Sequence, residues 1–596
     1  MNQVFRSKYF WIFLVVITSL IVLFPNIGNG WVNWDDENYI VNNTMVHGFS
    51  MKRLIAIFKT PQVMGNYHPL TLLTYAIEYE FAGDNASVFH TTNIVLHLIN
   101  VVIVFLLVFK LTGKYQIAFF VSLLFGIHPM HLESVAWISS RKDMLFSLFL
   151  LLGFLTYLKY IQRKNIGFYL LTLAMFCLSV LSKGMAIIFP PILVLIDVLY
   201  QRKFQKNIIL EKIPFFLIAI AFTFIGITAQ QSGGAMNELT DVVTLQNIFI
   251  GTYGFAIYII KLFIPFQLSA FHPYPFVDMN EMPFYFYISI LIVPVFVYLL
   301  IRTYKKQAII FFGLLFYVIS IAPVLQILPF GKALFAERYT YISYIGLLLA
   351  LVVFIYNGSV SFGKKYPTIK KLLLQGIFFS IIIFAYITYT RSAVWKNSDS
   401  LWTDVIDKYP DDYFAYGNRA NAEPNSIIAI EDYNKCIELN PAFFEAYNNR
   451  GLKFLKLKEY QSAVNDFNAA LQINPDYPKS YVNLGLCYTN LNKFDNAFDA
   501  FNRAITLDAK SALSYFNRGA LYNKTNQMQK AVIDFSNAIK LNSNIHQFYE
   551  ERGRAYFQLN EYKKALADFN TALLINPDSK TALEQRSLLM LNMKEN

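Results

Sequence analysis

The residues best placed to do chemistry are three consecutive carboxylates, Asp35, Asp36 and Glu37, in Trp31-Val-Asn-Trp-Asp-Asp-Glu-Asn-Tyr-Ile40 directly after the first apolar segment. Anions at a membrane boundary lose hydration, so three in a row either float in a solvated turn or form a working site. Trp31, Trp34, Tyr39 and nearby Phe24 favour packing at the interface over a loose turn. Further along stand His128, His131, Glu133, Arg141 and Asp143, then Lys183, then Glu337 and Arg338. Singly, each has a plain structural reading: interfacial histidines, an ion pair capping a helix, a snorkelling lysine. Gathered on one side of a membrane, carboxylates and cations describe a pocket for an anionic substrate, most obviously a phosphate, with a base beside it.

The elements that must position these residues are transmembrane helices. The chain has 596 residues, 55% hydrophobic and 17% aromatic, with mean hydropathy +0.39, too apolar for a soluble globular protein. Apolar runs near 9–27, 90–109, 115–131, 143–160, 166–182, 184–200, 213–229, 245–264, 283–301, 307–329, 338–357 and 372–390 predict an all-α, polytopic bundle of about 11–13 spans over residues 1–392. The net charge of +12 comes from Lys and Arg in short clusters between those runs, which reads as an orientation signal and not as a nucleic-acid surface. Arg6/Lys8, Lys110/Lys114, Arg163/Lys164, Arg202/Lys203/Lys206, Arg302/Lys305/Lys306 and Lys364/Lys365/Lys370/Lys371 then face the cytoplasm. Every candidate named above falls in the opposite set of gaps. An even number of strict spans conflicts with these charges, so one run between 213 and 264 is expected to be re-entrant or interfacial. The long first outer loop, 28–89, contains an amphipathic pattern at Asn66–Glu78 that fits a helix on the membrane surface. Cys177, Cys436 and Cys487 have no paired spacing and read as packing residues.

Beyond a connector at 393–410 the composition turns mixed and a 34-residue period appears. Tyr447, Tyr481, Tyr515 and Tyr549 keep it, as do Gly451, Gly485, Gly519 and Gly553, and Ala429, Ala463, Ala497, Ala531 and Ala565. This is the tetratricopeptide signature: about five repeats over 411–596, the first three residues short, closed by a capping helix at 579–592. Stacked repeats form an α-solenoid and present binding surfaces. Asn418, Asn449, Asn483 and Asn517 share one position in the first helix of each repeat; Glu551 breaks the series. They read either as exposed polar filler or as a ladder for polypeptide backbone, similar to that of the O-GlcNAc transferase superhelix.

Trp34-Asp-Asp-x-x-Tyr-Ile, His68-Pro-Leu-Thr, the block His128 to Asp143, Leu181-Ser-Lys-Gly and Ala336-Glu-Arg-Tyr-Thr-Tyr341 resemble motifs of the transmembrane-and-tetratricopeptide-repeat O-mannosyltransferases and their bacterial relatives, over nearly the whole chain. The resemblance implies a GT-C membrane glycosyltransferase that takes a sugar, mannose or similar, from a polyprenyl-phosphate carrier on the non-cytoplasmic face. Aligned on Tyr39, the acidic pair of related transferases falls on Asp35 and Asp36. The chain departs from the pattern at Lys183-Gly184, where Lys-Glu is expected, and at Lys142, where a small residue is commoner.

Such a transfer needs a base near the acceptor oxygen and positive charge on the departing phosphate. Asp35 is the candidate base with Asp36 beside it, and Arg141, Lys183 and Arg338 are the candidate phosphate ligands. Glu133, Asp143 and Glu337 would orient those cations or hold the acceptor, with His68, His128 and His131 in support. A divalent cation such as Mg or Mn would find its carboxylate ligands on Asp35 and Asp36, although the chemistry does not require one. The expected partners are the lipid-linked sugar, a polypeptide on the repeats and membrane lipid. Two other readings stay open: a non-catalytic membrane anchor displaying a repeat scaffold, and a ligase or polymerase of lipid-linked glycans. Lys-, Ile- and Asn-rich composition points to a bacterial inner membrane with the repeats outside the cytoplasm.

Overall fold

The computed structural model describes residues 7–59, 62–203, 205–232, 245–275, 281–327, 333–363 and 367–595. Arg6, Lys364 and Lys365, three of the basic residues in the orientation argument, lie outside them. By contact density the chain divides into Met1–Pro410 and Asp411–Asn596.

In the first unit every apolar run is helical, and chain chemistry sets the ends. Ser7 caps Lys8–Leu23 and Pro25 then tightens the chain into a 3-10 turn, Phe24–Gly28. Asn85 caps Ala86–Thr112, which stops at Gly113 in the left-handed region, φ 67°. Asn165 caps Ile166–Ser182. Among the described residues, eight helices are long and apolar enough to cross a membrane. A ninth forms if Tyr115–Ile127 and Pro129–Ala136, bent by 56°, count as one span. Ile166–Ser182, Gly184–Leu199 and Ala308–Val324 are apolar but shorter.

Both runs in 213–264, where an irregular span was expected, have the length and hydropathy of ordinary spans, Lys206–Gln230 and Leu245–Phe263. The bend falls instead at His128-Pro129, because proline removes a helical donor and disfavours helix in the residue before it. Helices Ala308–Ile321 and Thr340–Gly363 cross closely enough that a Cβ on Gly313 would lie 2.5 Å from the Gly346 carbonyl oxygen.

The loop after the first span is folded. It carries the turn Glu37–Val41, helix Met51–Lys59, a two-stranded ribbon pairing Gln62–Val63 with Asn66–Tyr67, and helix Pro69–Ala82. The last of these, where an amphipathic helix was expected, buries one of its faces. Leu72, Tyr75 and Ala76 pack into a core with Tyr39, Ile40, Phe89 and Ile138, and the Tyr75 hydroxyl donates to the Ile138 carbonyl at 2.8 Å. The expected connector is also structured: helix Ser398–Lys408, capped by Asn397 and Ser400, belongs to the first unit and buries Leu401, Trp402 and Val405 completely.

The second unit is five helix pairs, beginning with Tyr413–Ala422 and Ser426–Leu439 and ending with His546–Gln558 and Tyr562–Ile575, followed by Lys580–Glu595. The periodic glycines let paired helices touch: a Cβ on Gly485 would lie 2.6 Å from the Phe501 ring. Gly485→Ala is therefore expected to destabilise the repeats by about 1–3 kcal/mol through overpacking, read as a lower thermal midpoint. The sequence reading missed an Arg–Asp fork within four of the five pairs: Arg419–Asp432, Arg450–Asp466, Arg518–Asp534 and Arg552–Asp568, both bonds 2.7–2.8 Å. The third repeat replaces both partners together, with buried Leu484 and Ala500, consistent with the small net stability of a buried ion pair relative to an apolar one.

Candidate active site

The first turn of helix Arg141–Arg163 brings the candidate groups together. Lys142 Nζ lies 3.5 Å from Asp35 Oδ2, above the Tyr39 ring at 4.6 Å and the Trp137 ring at 5.4 Å. The other side of the cluster shares Trp137 and adds Tyr339. The Arg338 guanidinium sits 5.2 Å from Trp137 and 5.0 Å from Tyr339, and Lys183 Nζ is 5.7 Å from Tyr339. Two rings thus space three cations delivered by three distant segments.

Each cation has one acid. Lys183 pairs with Asp143 at 2.5 Å. Arg338 pairs with Glu133, whose other oxygen accepts the Arg338 backbone N–H at 2.8 Å. Asp35, Lys142, Lys183 and Arg338 keep 10–15% of their side-chain surface, whereas Asp143 and Glu133 keep 1%. The first four are therefore the groups a substrate can reach, and the two buried acids hold cations in place. His68 borders this group. Burial and the Lys142 and Lys183 ammoniums hold its imidazole well below the usual histidine range, so the ring is neutral near pH 7.

Several expected roles change. Asp36 is fully buried. Its Oδ2 accepts the Val32 N–H at 3.1 Å and its Oδ1 accepts both the N–H and the hydroxyl of Ser139, at 3.0 and 2.5 Å. With both oxygens of Asp36 engaged and an ammonium beside Asp35, the pair does not form a shared site for a divalent cation. Arg141 is not a phosphate ligand either. It has no exposed surface, lies 4.6 Å from the Tyr75 ring, pairs with Glu78, and donates to Asn93 Oδ1 at 2.9 Å and the Phe89 carbonyl at 3.1 Å.

His128 and His131 are buried at the helix bend, bonded to the carbonyls of Leu262 and Phe125 at 3.1 and 2.8 Å. Glu337 turns away from Arg338, accepting the Ser269 N–H at 2.7 Å with His272 at 3.5 Å. Lys142, Tyr39, Trp137 and Tyr339 were missed. Their sequence signal was membership of the quoted motifs, with Lys142 also standing where a small residue is commoner.

Asp36 predicts a pH dependence. Burial pushes its carboxyl up to about 6, outweighing the three donors, from 3.8 in an unfolded chain. The native state then binds the extra proton between those values. The contribution to stability is complete below about pH 4 and is lost as pH rises through about 6, roughly 3 kcal/mol across the window. Thermal midpoints in detergent from pH 4 to 7 should fall with pH for the wild type relative to Asp36→Asn.

The acidic loop is held by the segment once expected to be a linker. Gly30 N–H donates to the Lys396 carbonyl at 2.8 Å, Asn33 N–H to the Ser398 hydroxyl at 2.9 Å, and Trp402 Nε1 to Asn33 Oδ1 at 2.7 Å. The Trp402 ring stacks on Trp34 at 4.8 Å, one residue before Asp35. Displacing a reacting group by about 1 Å can cost up to 100-fold in rate. Trp402→Ala is expected to lower kcat for folded protein roughly 10- to 100-fold with donor KM little changed, and Trp402→Phe should restore most of it.

In the second unit Asn418, Asn449, Asn483 and Asn517 are half-buried and not exposed filler. Asn449 donates to Asn421 at 3.0 Å and Asn483 to Asn448 at 3.2 Å, knitting successive repeats, while Asn418 donates to its own helix at Phe414.

Tetratricopeptide-repeat family models match residues 444–477, 478–511, 512–545 and 547–579. Protein O-mannosyl-transferase F38B6.6 of Caenorhabditis elegans is 24% identical over 72% of this chain and 63% of its own length. Protein O-mannosyl-transferase TMTC4 of Homo sapiens is 31% identical over 34% of this chain and 31% of its own. The chain thus spans less than two thirds of either relative. Among solved structures, the tetratricopeptide protein YrrB aligns over 31% of this chain and 97% of its own, at 22% identity and TM-score 0.27. By these matches the chain is similar to proteins named as protein O-mannosyl-transferases, and its C-terminal unit carries tetratricopeptide repeats.

Proposed function

We propose that this protein is an integral-membrane glycosyltransferase that moves mannose or a similar sugar from a polyprenyl phosphate to a hydroxyl of a polypeptide held by the repeats. The observation that carries the reading is the array of Lys142, Lys183 and Arg338 around Trp137 and Tyr339 beside the accessible carboxylate of Asp35. The similarity to proteins named as O-mannosyl-transferases supports it.

In this mechanism the donor phosphate lies against Lys183 and Arg338, with Lys142 completing the positive wall. Asp35 takes the proton from the acceptor hydroxyl as its oxygen bonds to the anomeric carbon. The bond from that carbon to the phosphate oxygen breaks, and its electron pair passes to the phosphate, where the cations stabilise the new charge. Asp143 and Glu133 fix Lys183 and Arg338 beforehand, so little reorganisation accompanies the transfer. The repeats supply the surface that holds the acceptor polypeptide. The site faces the non-cytoplasmic side of a bacterial inner membrane, where such donors present their sugars.

The test is to incubate purified protein with radiolabelled polyprenyl-phosphate sugars and a total envelope extract. Label passing to polypeptide is the expected result. Label passing only to a lipid-linked glycan would contradict the polypeptide acceptor, and label remaining on the donor would contradict the enzyme.

A further inference from the structure

Helix Met51–Lys59, in the folded first loop, presents an apolar face outward. At 100° per residue Met51, Ile55 and Phe58 fall within about 60° of one another. All three are exposed, at 71%, 47% and 39%, and Phe49 continues the patch. Lys52 and Lys59 flank this face on one side and Arg53 lies behind it; the helix contains no acid. Ile57 points the other way, 1% exposed, into the core that also holds Tyr39, Ile40, Tyr75 and Phe89. Glu80, on helix Pro69–Ala82 behind, accepts the Phe49 N–H at 2.8 Å and steadies the approach. The loop joins the candidate spans Lys8–Gly28 and Ala86–Thr112, which tether it at one boundary of the bilayer.

We propose that Met51–Lys59 is a docking helix for anionic phospholipid. Met51, Ile55 and Phe58 enter the acyl boundary, while Lys52 and Lys59 contact headgroup phosphates. The chemistry favours lipid over a protein partner because an apolar strip beside cations with no acid fits a sheet of phosphates above hydrocarbon. Through Ile57 the seated helix also braces the core beneath Tyr39, four residues after Asp35. The proposal stands apart from the catalytic reading.

The experiment places an environment-sensitive fluorophore at position 58 through Phe58→Cys in full-length protein carrying Cys177→Ala. Cys436 and Cys487 are fully buried. The protein is reconstituted in nanodiscs of phosphatidylcholine alone or mixed with phosphatidylglycerol, and quenching by aqueous iodide and by acyl-chain nitroxide is compared. A probe at exposed position 510, through Lys510→Cys, gives the fully aqueous reference.

One basic residue near an anionic surface favours the seated position roughly fivefold, so two together shift the seated-to-free ratio by roughly 25-fold. Phosphatidylglycerol should therefore shield the probe from iodide and expose it to the nitroxide. The double variant Lys52→Gln, Lys59→Gln should lose that lipid dependence. Equal shielding in both lipids would reduce the contact to apolar seating and overturn the anionic recognition. Iodide quenching equal to the position-510 reference in both lipids would overturn docking altogether.

Discussion

Asp35→Asn is expected to abolish sugar transfer while leaving a folded, membrane-inserted protein. General-base assistance contributes typically 10²–10⁴-fold, and the amide that replaces the carboxylate cannot take up the acceptor proton. Little structural cost accompanies the change. Asp35 keeps solvent-exposed surface and its ion pair with Lys142 is loose at 3.5 Å, so the carboxylate is not a keystone of packing. Its backbone carbonyl, which accepts the N–H groups of Asn38 and Tyr39, is unchanged by the substitution. Transfer per folded molecule, set beside the thermal midpoint of the same preparation, checks both halves.

Arg141→Ala should give the opposite pattern. Arg141 is enclosed by Tyr75 and Phe89 and shares its donors among Glu78, Asn93 and the Phe89 carbonyl. Removing it leaves Glu78 charged and unpaired and opens a cavity between the first loop and helix Ala86–Thr112. Breaking a buried pair from one side costs about 3–5 kcal/mol, a large part of a typical folding free energy. The yield of folded protein should collapse, and any fraction that survives should retain donor affinity, because the guanidinium faces no substrate space. Normal folding with a selective loss of donor binding would return Arg141 to the phosphate site.

The contrast between these residues shows what a sequence can carry. Asp35, Asp143, Lys183, Glu133 and Arg338 were legible as one group because each flanks an apolar run, and alternate gaps between spans must share a face. The repeats were legible because the spacing of Gly451, Gly485, Gly519 and Gly553 follows directly from a helix pair that needs a bare backbone against Phe467, Phe501, Phe535 and Phe569.

Division of labour within the group was not legible. Asp36 differs from Asp35 only through Ser139, 103 positions away, and Arg141 differs from Lys142 only in facing Glu78 and Asn93 and not Tyr39 and Trp137. Adjacent residues on one helical turn point about 100° apart, and partners chosen by tertiary packing decide which becomes a strut and which meets substrate. The same holds for Trp402. Nothing local to Ser398–Lys408 announces that it stacks on a tryptophan 368 positions earlier.

The account rests on a single displacement at the anomeric carbon, with Asp35 as base and the cations on the leaving phosphate. NMR of the glycosylated product, formed by purified protein from a polyprenyl-phosphate sugar of known anomeric configuration, tests this most directly. The account predicts that the product carries the configuration opposite to that of the donor. Retention would require a covalent intermediate on the enzyme and would contradict the role given to Asp35.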